Sequence, residues 1–71
     1  RDGMDAARAL IDRAPALLVP GGWLLLELDS RRLDVAVGRT RDAGRYDSVD
    51  VVRDLFGRDR FLVARRRPEL P

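Results

Sequence analysis

The chain has 71 residues, of which 14 are basic and 12 acidic, for a net charge of +2. Every basic residue is arginine, and histidine, cysteine, asparagine and glutamine are absent, which excludes disulfides and thiolate or imidazole metal ligands. The two signs of charge are interleaved instead of concentrated, so composition argues against nucleic acid as a partner, and no run reaches the roughly 18 apolar residues of a membrane span.

Asp2 is placed to cap a first helix, with Asp5 three residues later, where an acid favours the helix N-terminus. Met4, Ala7, Leu10, Ile11, Ala14, Leu17 and Leu18 then recur in steps of three and four, a single apolar stripe. Pro15 predicts an end or kink near Arg13, with one further turn before Val19. Pro20-Gly21 suits the centre of a type II turn, whose second central position needs positive φ. Trp23 to Leu28 follows, five of its six residues apolar and without alternation. Such a run reads as a strand buried on both faces, the kind found inside a parallel sheet.

Asp29 or Ser30 caps a second helix, from about Arg31 to Ala43, with Leu33, Ala36, Val37 and Thr40 inward. Gly38 weakens it by about 1 kcal/mol relative to alanine, and Gly44 terminates it. Two more strands are predicted, Val49 to Arg53 and Arg60 to Arg65. The short loop Asp54 to Asp59 between them permits only an antiparallel hairpin. Arg65-Arg66-Arg67 and the residues after it lack an apolar period and read as a fraying, solvated tail. The predicted domain, counted to include these arginines, covers residues 1–67, with 68–71 as a disordered tail.

The order helix, strand, helix, strand, strand lacks a strand ahead of its first helix. A chain this short buries only about 60% of its unfolded surface. It cannot supply covering layers on both faces of the Trp23 to Leu28 strand. The expectation is a piece of a larger α/β domain: a three-stranded mixed sheet, the hairpin's last strand central beside Trp23 to Leu28, and two flanking helices.

These segments resemble the C-terminal end of the class I methyltransferases that use S-adenosylmethionine, a Rossmann-like fold. Asp2-Gly3-Met4-Asp5, the Ala14 to Gly22 helix end and turn, Trp23 to Leu28, and Asp54-Leu55-Phe56-Gly57-Arg58-Asp59-Arg60 with Phe61 to Arg65 are similar to the release-factor glutamine methyltransferases in particular. The resemblance implies methyl transfer from S-adenosylmethionine to the glutamine of the Gly-Gly-Gln loop in peptide chain release factors, in the cytoplasm. It also implies that the glycine-rich cofactor loop and the Asn-Pro-Pro-Tyr catalytic loop lie in a missing N-terminal half of the domain. No catalytic or cofactor-binding residue is assigned in this chain, and the piece by itself is expected to hold no cofactor and to be inactive. The alternatives are a related RNA or DNA amino-group methyltransferase and a small α/β interaction module pairing through an exposed strand.

Glu27 is the one substrate-side candidate, because ligands of open α/β sheets lie at the carboxyl ends of the strands. Its plainer reading, an acid paired with arginine at the sheet rim, is preferred. Asp29 reads as a helix cap, Asp2 and Asp5 as helix-start residues, and Arg58, Asp59 and Arg60 as local ion pairs in a solvated turn. Arg65-Arg66-Arg67 lacks the interleaved aromatics of a single-strand binder.

Overall fold

A computed structural model describes residues 3–70. Five elements follow in the predicted order: α1 (Asp5–Leu17), β1 (Trp23–Glu27), α2 (Ser30–Ala43), β2 (Tyr46–Arg53) and β3 (Asp59–Arg66). The α/β class holds, and β3 is central in the order β1-β3-β2. The sheet is antiparallel throughout, not mixed. β1 and β2 do run in the same direction, but β3 lies between them and opposes both, so no parallel ladder forms.

Helix α1 starts from Met4 at the N-cap position without a side-chain capping bond, and Asp5 lies in its first turn. The predicted cap, Asp2, is outside the described residues. Pro15 does not end the helix, which runs on to Leu17. A proline here removes the N–H that would bond to the Ile11 carbonyl. The Tyr46 hydroxyl donates to that carbonyl instead, at 2.7 Å.

Gly22 N–H donates to the Val19 carbonyl at 2.8 Å, closing the Pro20-Gly21 turn, with Gly21 at φ 76°. Asp29 is the N-cap of α2 and accepts from Arg32 N–H at 3.0 Å. Gly44 ends that helix in the left-handed region at φ 69°. Gly38 has open space around it, so no close packing calls for a glycine there; the helix forms despite it on the inward stripe, of which Leu33, Ala36 and Thr40 are buried. The Thr40 hydroxyl donates to the Ala36 carbonyl at 2.7 Å, leaving no polar atom of that side chain stranded.

β2 begins at Tyr46, earlier than predicted, and carries an irregularity between Tyr46 and Ser48. This bulge lets Tyr46 and its partner Arg66 both turn toward the helices. The core comprises Met4, Ile11, Ala14, Leu24, Leu33, Ala36, Tyr46, Leu62 and Ala64. Both helices thus cover one face of the sheet.

The other face is uncovered among the described residues. Strand alternation and the register place Trp23, Leu25 and Glu27 beside Arg65, Val63 and Phe61, then Ser48, Asp50 and Val52. Trp23 is 55% and Leu25 63% exposed. The expected burial of this strand on both faces is therefore met on one face only, because the sheet has a single helical layer. β1 also has a free edge among the described residues. Leu28 N–H bonds to the Arg60 carbonyl and Arg66 N–H to the Gly22 carbonyl. In an antiparallel pair alternate residues carry the ladder, so Leu24 and Leu26 bond to β3 while the backbone groups of Trp23, Leu25 and Glu27 point away from it.

Arg65 and Arg66 belong to β3 and not to a fraying tail. Arg66 is 4% exposed. Its Nε donates to the Pro15 carbonyl at 2.5 Å and its Nη2 to the Leu70 carbonyl at 3.2 Å. A guanidinium at the end of α1 meets the negative end of the helix dipole.

Candidate functional site at the carboxyl end of the first strand

Because β1 and β2 run in the same direction, Glu27 and Arg53 finish at the same edge of the sheet. The start of α2 and the β2–β3 turn gather at that edge, and the Ser30 hydroxyl donates to the Asp59 carbonyl at 3.1 Å. Glu27 is exposed and pairs with Phe61, its side chain sharing the outer face with Trp23 and Leu25. The rim ion pair expected for it is not seen: the described ion pairs use other acids.

An open depression of about 310 Å³ at the start of α2 is lined by Met4, Asp29, Arg31, Arg32 and Val35. Asp29 is engaged twice there, by the Arg32 N–H and by the Arg32 guanidinium at 3.4 Å. Gly3, at φ 76°, lets that guanidinium lie against the backbone; a Cβ there would come within 2.8 Å of it. The structure thus brings the Gly3-Met4 segment against the start of α2. Sequence reading missed Arg31 and Arg32 as lining residues, since their place between Asp29 and Leu33 marks only a solvated helix face. Asp29 is a helix cap, as expected.

Asp54 organises the turn between β2 and β3. Its carboxylate accepts from Phe56 N–H at 2.8 Å, Arg58 N–H at 3.0 Å and Arg58 Nε at 3.1 Å, and Arg60 lies 3.6 Å away. These bonds, that from the Arg58 backbone foremost, hold its carboxyl below the usual range. Asp59 pairs with Arg53 at 3.3 Å. The local ion pairing expected of Arg58, Asp59 and Arg60 is present. Beyond the polar frame, Leu55 is 100% and Phe56 83% exposed.

A second depression, about 300 Å³, lies between the two helices and is lined by Asp12, Arg39, Asp42 and Ala43. Arg39 binds Asp12 with two nitrogens, the Nε bond being 3.0 Å. That contact lowers the Asp12 pKa and raises that of Arg39. It joins α1 to α2 and offers nothing chemically reactive. Among the described residues no group of three metal-ligating side chains occurs, and no helix is long and apolar enough to cross a membrane.

A helix–strand–helix unit closed by an antiparallel hairpin, with its open site at the strands' carboxyl edge, is consistent with a C-terminal piece of a methyltransferase fold. Comparison with curated proteins makes the relationship specific. The chain is 51% identical over 65 residues to the release factor glutamine methyltransferase of Deinococcus radiodurans, covering 92% of this chain and 23% of the relative. The protein of the same name from Moorella thermoacetica is 43% identical over 68 residues, covering 96% and 24%. That of Thermosynechococcus vestitus is 38% identical over 63 residues, covering 89% and 22%. This chain is a homologue of the C-terminal end of release factor glutamine methyltransferases, and spans under a quarter of the length of the curated relatives it matches. No family model matches the chain, and no solved structure matches it.

Proposed function

We propose that this chain is the C-terminal part of an S-adenosylmethionine-dependent enzyme that methylates the side-chain amide of the glutamine in the Gly-Gly-Gln loop of peptide chain release factors. The observation carrying the proposal is the match to proteins of that name along nine-tenths of the chain, 92% in the first case. The release factor is then the partner, and the cytoplasm, where translation ends, the compartment.

Topology supports a larger sheet. The crossover from β1 through α2 to β2 joins two strands of the same direction, and such crossovers are right-handed. α1 packs on the same face as α2. A right-handed crossover through α1 must therefore enter β1 from the side away from β2, which is the free edge carrying the backbone groups of Trp23, Leu25 and Glu27. A parallel strand leading into α1 would satisfy those groups, and helices accompanying it would cover Trp23, Leu25, Phe61 and Val63. Glu27 would then stand inside the carboxyl-end crevice, facing the acceptor, and is proposed as a substrate-side residue.

The residues present here do not suit S-adenosylmethionine. The two depressions are lined by arginine guanidiniums, which already engage Asp29 in one and Asp12 in the other, and the sulfonium is itself a cation. No step of the methyl transfer is assigned to this chain. A calorimetric titration tests the division of labour. The isolated 71-residue chain should show no saturable micromolar binding of the cofactor. A chimera carrying this chain in place of the matching segment of the D. radiodurans protein should bind it. Binding by the isolated chain would show that the pocket is mislocated.

A further inference from the structure

The β2–β3 turn displays two large apolar side chains, Leu55 and Phe56, that are 100% and 83% exposed. Exposed single hydrophobic residues are ordinary, but this pair sits on a turn built to hold still. The Asp54 carboxylate accepts three bonds from Phe56 and Arg58, and Gly57 N–H bonds to the Asp54 carbonyl at 3.0 Å. Gly57 supplies the positive φ of 78°. The Arg58 guanidinium stacks over the Phe56 ring at 5.4 Å. Asp54 N–H also donates to the Arg58 carbonyl at 2.8 Å, which closes the loop at its base. A turn backbone and an aromatic ring held in this way carry little ordering cost into a complex.

Position decides what the tip meets. It follows β2, so it extends beyond the edge where Glu27 and the start of α2 lie, the end at which α/β sheets receive ligands. The rest of the sheet, by the crossover argument, attaches along β1, on the far side of β3 from β2. The tip thus stands beyond the carboxyl end of the sheet, on the flank opposite the free edge of β1. We propose that Leu55 and Phe56 form a protein-docking tip that engages an apolar surface of the acceptor protein outside the methylated loop, and so distinguishes the intact protein from a short peptide. The inference rests on the proposed methyltransferase function.

The test uses the D. radiodurans chimera and the double variant Leu55→Ser/Phe56→Ser, with Asp54, Gly57 and Arg58 untouched. Steady-state methylation is measured with intact release factor and with a short Gly-Gly-Gln peptide, and thermal melts check folding. The expected result is a KM for the release factor raised about tenfold or more, with kcat for the protein, both constants for the peptide and the melt unchanged. Phe56→Leu should recover part of the loss. An unaltered KM for the release factor overturns the proposal, as does an equal loss on both substrates, which would mean that the tip packs within the enzyme. If the chimera methylates neither substrate, the functional reading fails separately. Calorimetric affinity for the release factor then reads the tip alone, and equal affinities with and without the substitutions overturn it.

Discussion

The Tyr46 hydroxyl occupies the place of the backbone donor that Pro15 lacks, bonding to the Ile11 carbonyl at 2.7 Å. This one bond explains how a proline sits within α1. It also ties the start of β2 to the first helix across 35 positions of sequence. Tyr46→Phe should lower stability by about 1–3 kcal/mol, the usual cost of a buried acceptor left unsatisfied. Pro15→Ala would restore the missing N–H, so in that background the tyrosine substitution should cost about 1 kcal/mol less. Urea unfolding of the four-member cycle measures the coupling; strictly additive effects would refute it.

Burial pushes the Tyr46 pKa up to about 12. The folded value lies above the unfolded one of about 10, so the neutral phenol is favoured by folding. Its contribution is complete below a pH of about 10 and is lost as pH rises through about 12. Alkaline titration of stability should show a decline in that window that Tyr46→Phe abolishes.

Asp54 has the opposite sign. Its folded pKa is depressed by the bonds it accepts, so its contribution is present above the ordinary carboxylate value and is lost as pH falls through the lowered one. Asp54→Ala should lower the Tm by a few degrees at neutral pH and flatten the acid limb of the stability curve. Thermal melts from neutral to strongly acidic pH would reveal it, and an unchanged acid limb would deny Asp54 this role.

Much of this fold was legible because local rules and packing agree. Asp29, the Leu33-Ala36-Thr40 stripe and Gly44 delimit α2 within a residue of the observed helix, and the Asp54 to Gly57 turn fixes the hairpin. Two features depended on distant partners and were not legible. Pro15 stays within the helix with Tyr46 satisfying the Ile11 carbonyl. Arg66 reads as tail until the Pro15 and Leu70 carbonyls are seen around it. The Trp23 to Leu28 run has the pattern of a doubly buried strand, and its outer face is open here because a chain this short supplies one covering layer. At the candidate site Asp29 was readable as a cap, while the Met4–Arg32 proximity was hidden because it joins segments far apart in sequence.

The open edge has its own consequence. Leu25→Lys, on the exposed face of β1, should make the isolated chain more soluble, since exposed apolar patches promote association. In the chimera the same change should abolish stable folding, because that face would be covered. Light scattering of the isolated chain and circular dichroism of the chimera together check this. A chimera that tolerates Leu25→Lys would leave the larger sheet without support.

The central claim is best tested by the chimera's chemistry. Mass spectrometry after incubation with S-adenosylmethionine and an unmodified release factor should find one methyl group on the glutamine of the Gly-Gly-Gln loop, as for the unaltered D. radiodurans protein. A folded, cofactor-binding chimera that leaves that glutamine unmodified, while the unaltered protein methylates it, would contradict the account.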